Sequence, residues 1–274
     1  MKLTFAKNIG FCSGVKRAIF IAKTSLKEDP KPIYFLGKIV HNEKVIESFE
    51  KDGVKFISDP KEAKEGTLII QAHGFPPFSP QKGVRIRDAT CPLVKRVQTI
   101  AKQFLKRGYK VIIIGEKNHP EVKGIQGAIK NKGIVVENEK DAKKLEKFEK
   151  IGVVSQTTQE EGKVKKILKI LKKKAKEIEF VNTICPEVQK RQKELKEILK
   201  KADAILVIGS KLSANTTRLF EIAKESKKKV FWVNDLKELK KEDLKEIKNL
   251  GIVSGTSAPD WEIEKIKNWL KNYD

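Results

Sequence analysis

At 274 residues the chain is long enough for one large domain or two to three small ones, and its +23 net charge invites a nucleic-acid reading. No apolar run approaches the length of a membrane span and no charged-then-apolar leader opens the chain, so a soluble, cytoplasmic protein without a membrane partner is expected. Three cysteines, odd in number and widely separated, make a poor disulfide framework and leave metal binding, catalysis or inert burial.

The charge is better read as surface than as a nucleic-acid patch. Lysine alternates with glutamate in runs such as EEGKVKKILKILKKKAKEIE and NDLKELKKEDLKEIK, the pattern of a solvated, ion-paired helix face. Heavy Lys/Glu use with one Met and three Cys also fits a heat-adapted protein. Aromatics are few and not interleaved with the basic runs, which argues against single-strand binding. A positive field still favours an anionic substrate or an acidic redox partner.

In chain order, MKLTFAKNIG reads as a strand entering a loop, and GFCSGVKRA then carries Cys12 into a helix whose Val15, Ala18, Ile19 and Ala22 fall on one face. IYFLGKIVH is a strand ending at Gly37, and LIIQAHGFPP a second strand ending in small polar residues. The next round opens on DATCPLVKR, with Cys91 before Pro92 and a helical face of Val94, Val97, Ala101 and Phe104. It continues with VIIIGEKNH, ending at Gly115, and GVVSQTTQEE. A third round follows: NTICPEVQKR, with Cys185 before Pro186, then ILVIGSKLS, ending at Gly209, and GIVSGTSAPD, another proline-started helix. Cys12 lies 25 positions before Gly37, while Cys91 and Cys185 each lie 24 before Gly115 and Gly209. Proline at a first helical position costs no hydrogen bond, so each cysteine sits at a helix N-terminus, whose positive end favours thiolate. Strands alternating with helices predict parallel α/β units: three lobes, residues 1–90, 91–184 and 185–274, around a shared centre. In such sheets ligands bind beyond the carboxyl ends of the strands, where the polar loops of every round fall.

Those loops hold all three histidines, His41, His73 and His119, the first and last four residues beyond a strand-end glycine. As donors they suit phosphate oxygens; as zinc ligands they lack a local spacing with cysteine. The equivalent third-round position is Ser213, followed by Ala214 and Asn215, and Ser257 precedes APD. Hydroxyls, an amide and helix N–H groups make an anion pocket, or else simple helix caps. Glu121, two residues past His119, is out of place among anion-binding groups unless it handles protons; the alternative is a first-turn glutamate facing a helix dipole. Three cysteines, one per lobe, could hold an iron–sulfur cluster with one open iron, or a zinc ion, and spacing alone does not separate them.

The ordered set GFCSGVKRAI, IVHN, AHG, DATCPLV, GEKNHPEV, SQTT, TICPEVQKRQ, GSKLSANTTRL and GTSAPD resembles, over essentially the whole chain, the 4-hydroxy-3-methylbut-2-enyl diphosphate reductases of the non-mevalonate isoprenoid pathway. That resemblance implies an oxidoreductase with three α/β lobes in a pseudo-threefold cloverleaf around a central 4Fe–4S cluster. Cys12, Cys91 and Cys185 match its ligands, with the fourth iron left for the substrate hydroxymethyl oxygen. It further implies that His41, His73, His119, Ser213, Asn215 and Ser257 hold the diphosphate, that Glu121 is the proton source and that Thr157 orients the substrate alcohol. The reaction implied is a two-electron, two-proton reductive dehydroxylation giving isopentenyl and dimethylallyl diphosphates. The partner implied is a low-potential donor such as ferredoxin or flavodoxin, not nucleic acid. Two departures touch the pocket: Ala214 stands where the family often has a second serine, and Leu212 where it has a polar residue. A basic nucleic-acid-binding protein with a three-cysteine structural zinc is the reading from another class, and a zinc-dependent phosphohydrolase a third.

Overall fold

The computed structural model describes residues 1–272. The chain forms two compact units: Met1–Lys16, Val40–Phe49 and the chain from Pro186 onward make one, and Arg17–Ile39 with Glu50–Cys185 the other.

The second unit contains two four-stranded parallel sheets. One is built from β2 (Ile33–Leu36), β3 (Lys55–Ile57), β4 (Thr67–Ile70) and β5 (Arg85–Asp88), in the order β3-β2-β4-β5. The other uses β6 (Lys110–Ile114), β7 (Ile134–Val136), β8 (Phe148–Ser155) and β9 (Ala175–Phe180), in the order β7-β6-β8-β9. Its helices are α3 (Pro92–Lys106), α4 (Pro120–Ala128), α5 (Glu139–Lys144) and α6 (Glu161–Leu171), while α1 (Ser13–Glu28) and α2 (Glu43–Lys51) each run from one unit's segment into the other's.

The first unit contains the third sheet, formed by β10 (Ala204–Ile208), β11 (Lys229–Val233) and β12 (Asn249–Ser254) together with β1 (Lys2–Phe5). Helices α7 (Pro186–Leu199), α8 (Ala214–Glu225), α9 (Lys241–Leu244) and α10 (Asp260–Lys271) accompany it. Its order, β11-β10-β12-β1, repeats the other two, with one difference. The edge place that β5 and β9 take directly after β4 and β8 is taken here by the first strand of the chain, Lys2 opposite Asn249 through Phe5 opposite Ile252. Every cysteine therefore follows an edge strand: β1 before Cys12, β5 before Cys91, β9 before Cys185.

Burial explains why these segments pair in parallel. Ile112, Ile113, Ile114 and the whole of β10 are buried, as strands covered on both faces by helices must be. The helical face foreseen at Val94, Val97, Ala101 and Phe104 is buried, and Val97, Ala101 and Phe104 pack on Val111, Ile113 and Val154. Phe104 packs against the strand at Gly152, where a Cβ would come within 2.3 Å of its ring. Outside the sheets, exposed lysines pair with glutamates three or four residues away, as in Lys165–Glu161 and Lys200–Glu197. No helix of the described residues is long and apolar enough to cross a membrane.

Candidate active site

The strand ends are built alike in all three sheets. The N–H of the glycine after each central strand donates to the last residue of its neighbour: Gly37 to Ile57, Gly115 to Val136 and Gly209 to Val233. The N–H of each cysteine donates to the carbonyl two residues beyond the other central strand: Cys12 to Thr256 (3.1 Å), Cys91 to Ala72 (2.9 Å) and Cys185 to Thr157 (2.9 Å). Two helix-opening prolines, Pro92 and Pro186, occupy the first helical position as foreseen. Pro259 does not: it is the cap before α10, which begins at Asp260.

These thiols are partly exposed, and none is in a disulfide. Each precedes a helix N-terminus, and the Val15 N–H points at Cys12 Sγ at 3.5 Å. A thiol at a helix N-terminus, as each of these is, has the setting that favours a thiolate ligand for iron–sulfur or for zinc.

In the second unit α4 carries the site's acid. His119 is the N-cap of α4; its Nδ1 accepts the Glu121 N–H at 3.2 Å, which leaves the ring proton of a neutral imidazole on Nε2. The His73 ring stands edge-on to it with centroids 5.5 Å apart. Glu121 is wholly buried, and both carboxylate oxygens are held by one residue: Thr157 N–H donates to Oε1 and Thr157 Oγ1 to Oε2, each at 2.7 Å. Burial pushes the Glu121 pKa up to about 7 against the opposing pull of the Thr157 hydrogen bonds, with the charge of Glu116 adding to the rise. A carboxyl that is half protonated at neutral pH, with its orientation fixed, is suited to deliver a proton.

The first unit holds Ser213, Asn215, His41 and Ser257, four of the residues expected to bind an anion. Ser213 is the N-cap of α8, its Oγ accepting the Thr216 N–H, and Asn215 is the second residue of the helix. Asn215 is 1% exposed, and neither its amide nitrogen nor its amide oxygen has a hydrogen-bond partner. A buried amide left unsatisfied costs about 1–3 kcal/mol, so its two unpaired ends call for an explanation. Ser257 Oγ donates to the His41 carbonyl at 3.2 Å, joining two further predicted residues. Gly209 adopts φ +142°, and a Cβ there would meet Thr216 Oγ1 at 2.8 Å, so glycine lets the loop close over the head of α8.

Sequence reasoning missed the residues that tie the segment after His41 into its unit. Asn42 is buried; its Oδ1 caps α2 by accepting the Lys44 N–H, and its Nδ2 donates to Asn234 Oδ1. Lys44 Nζ bridges Asp235 and the buried Glu262, each at 2.6 Å; burial alone would lower its pKa, but the two carboxylates raise it. Asparagine directly before a helix was the one legible signal, as a cap.

A family model described as LytB protein matches residues 3–271. The chain belongs to the LytB family. Members similar to it are named 4-hydroxy-3-methylbut-2-enyl diphosphate reductase. That of Dictyoglomus thermophilum is 44% identical over 276 residues, covering 99% of this chain and 97% of that protein. That of Aquifex aeolicus is 41% identical over 277 residues, covering 98% and 96%. A solved structure of the E-1-hydroxy-2-methyl-but-2-enyl-4-diphosphate reductase from Plasmodium falciparum is also similar, with TM-score 0.91 and 34% identity over 99% of this chain and 88% of that one. The expected family and the three α/β lobes thus hold, and as a family member the chain is an oxidoreductase.

Proposed function

We propose that this chain reduces (E)-4-hydroxy-3-methylbut-2-enyl diphosphate to isopentenyl and dimethylallyl diphosphates, consuming two electrons and two protons and releasing the allylic hydroxyl as water. The observation that carries the reading is the Glu121–Thr157 pair: a buried carboxyl with pKa near 7, fixed through both oxygens, in a chain similar to named reductases throughout its length. Hydroxide is a poor leaving group, so a positioned acid is what such a dehydroxylation needs; Glu121 supplies that proton and Thr157 orients the alcohol.

Cys12, Cys91 and Cys185 would hold a 4Fe–4S cluster. Their matched backbone anchoring and helix N-termini suit thiolate ligation, and family membership favours iron–sulfur over zinc. When bound, such a cluster would relay the electrons, one at a time, and offer an iron able to act as Lewis acid. Ser213, Asn215, Ser257 and the histidines His41, His73 and His119 bind the diphosphate: the Asn215 amide gains its missing partners, and His119 donates through Nε2. The electrons come from a low-potential carrier such as ferredoxin or flavodoxin, in the cytoplasm.

The test is iron and acid-labile sulfide analysis of anaerobically purified protein, followed by turnover with a low-potential donor. About four irons per chain and conversion of the substrate to both products are expected. Replacing any one cysteine by serine lowers the iron content. Colourless protein that holds zinc after iron–sulfur reconstitution and binds nucleic acid in a salt-dependent way would place the chain in the other class.

A further inference from the structure

The loop that delivers Cys12 is held by more side chains than a connection of its length requires. Arg191, on α7, is 3% exposed. Its Nη2 donates to the Gly10 carbonyl at 2.7 Å, while its Nη1 reaches the Ser254 carbonyl (3.0 Å), Ser254 Oγ (3.1 Å) and the Gly255 carbonyl (3.2 Å). One guanidinium thus ties the residue two before Cys12 to the end of β12. The same strand end continues to Thr256, whose carbonyl takes the Cys12 N–H.

The rest of the loop is tied on the same principle. One turn along α7, Glu194 accepts the Asn8 N–H at 3.0 Å and its side-chain amide as well. Ser254 Oγ accepts the Gly10 N–H at 2.8 Å, and Asp260 the Phe11 N–H at 3.1 Å. Gly10 has φ +83°, and a Cβ there would lie 2.1 Å from Asp260 Oδ1, so the close approach requires glycine. A planar fork of five donors that cannot lose its charge is the side chain suited to collecting several carbonyls at once; lysine would reach fewer of them.

We infer that Arg191 is a positioning residue for the Cys12 ligand loop, setting how firmly that cysteine grips its metal centre; this rests on the reading of Cys12 as an iron ligand. A weaker counterpart serves Cys91. Arg17, five residues after Cys12 on α1, donates from Nη1 to the Thr90 carbonyl at 3.2 Å and from Nη2 to the Asp88 carbonyl at 3.4 Å, and it is exposed. In both cases the helix that follows one cysteine sends an arginine to the carbonyls just ahead of another.

The experiment follows iron release to an excess of ferrous chelator from anaerobically reconstituted protein, well below the unfolding temperature, with the paramagnetic resonance of the reduced cluster as a second readout. Arg191→Met is expected to release iron roughly 10-fold faster than the parent, as loss of a supporting partner outside a metal's ligand set does. Arg191→Lys should fall between the two, and Arg17→Met should show less than the Arg191→Met effect. A shifted resonance in Arg191→Met, partly restored in Arg191→Lys, marks a positioning role that general destabilisation does not mimic. Should Arg191→Met fail to fold, Arg191→Lys and Glu194→Gln carry the test. If Cys12→Ser lowers iron content while every Arg191 and Glu194 variant keeps the parent's release rate and resonance, the inference is overturned and the ligand reading stands. If Cys12→Ser retains full iron, the ligand reading fails and the inference with it.

Discussion

The heads of α4 and α8 occupy the same place in two lobes, yet their buried polar side chains are satisfied in opposite ways. Each follows the strand-end glycine by the same interval, with His119 and Ser213 as N-caps and Glu121 and Asn215 as the second helical residue. Both of the latter are buried, at 0% and 1% exposure. The Glu121 oxygens are each satisfied within the protein, by Thr157, whereas the Asn215 amide is satisfied at neither end. A side chain whose partners are built in can keep and give up a proton reproducibly; one whose partners are missing is completed by what binds. On the proposed function, the same backbone position serves as a proton donor in one unit and an anion receptor in the other, the difference lying in what the neighbouring loop offers.

The strongest way to break this contrast is Glu121→Gln, which keeps size and hydrogen bonding but cannot deliver a proton. Turnover is expected to fall about 10² to 10⁴-fold, with iron content and substrate affinity retained. Near-normal turnover would return Glu121 to a helix-dipole role worth about 0.3–1 kcal/mol of stability.

Asn215→Ala should do the reverse. Losing charge-assisted bonds to the diphosphate is worth about 1.5–3 kcal/mol, a rise in KM of roughly 10- to 150-fold, with kcat much less affected. Because the amide is unsatisfied before ligand binds, the ligand-free variant should be no less stable than the parent by chemical unfolding, apart from the small volume lost.

Stability against pH sharpens the comparison further. The folded pKa of Glu121, about 7, lies above its ordinary value of 4.5. Its contribution is therefore fully present below pH 4.5 and is lost as pH rises to 7 and beyond, when a buried carboxylate must be kept charged. Glu121→Gln is expected to gain on the parent between pH 5 and pH 8 by on the order of 2–3 kcal/mol, read from denaturant unfolding at the two pH values. Asn215→Ala should leave that pH slope unchanged. The smallest effect is expected of Ser213→Ala, where loss of the cap on α8 costs about 1 kcal/mol.

The local parts of this architecture were legible and the long-range parts were not. Val94, Val97, Ala101 and Phe104 declared a buried face because helical periodicity is written in neighbouring residues. Gly37, Gly115 and Gly209, and the cysteines at helix starts, declared the repeat for the same reason. The pairing of β1 with β12 was hidden, since nothing in KLTF names a partner some 247 residues away. Glu121 could be singled out as chemically odd, but the Thr157 contact that fixes it spans 36 residues, from α4 to the loop after β8. Arg191 and Lys44 were lost among 59 basic residues, because a lysine- and arginine-rich surface masks the few cations that turn inward. What separates them is burial and partners, which arise only when the chain closes.

The central claim, that equivalent helix positions divide proton delivery from anion binding, is tested most directly by calorimetric titration of iron-loaded protein with inorganic diphosphate. The account predicts parent-like affinity in Glu121→Gln and an affinity reduced about 10-fold or more in Asn215→Ala. Equal loss in both variants, or a loss confined to Glu121→Gln, would contradict it.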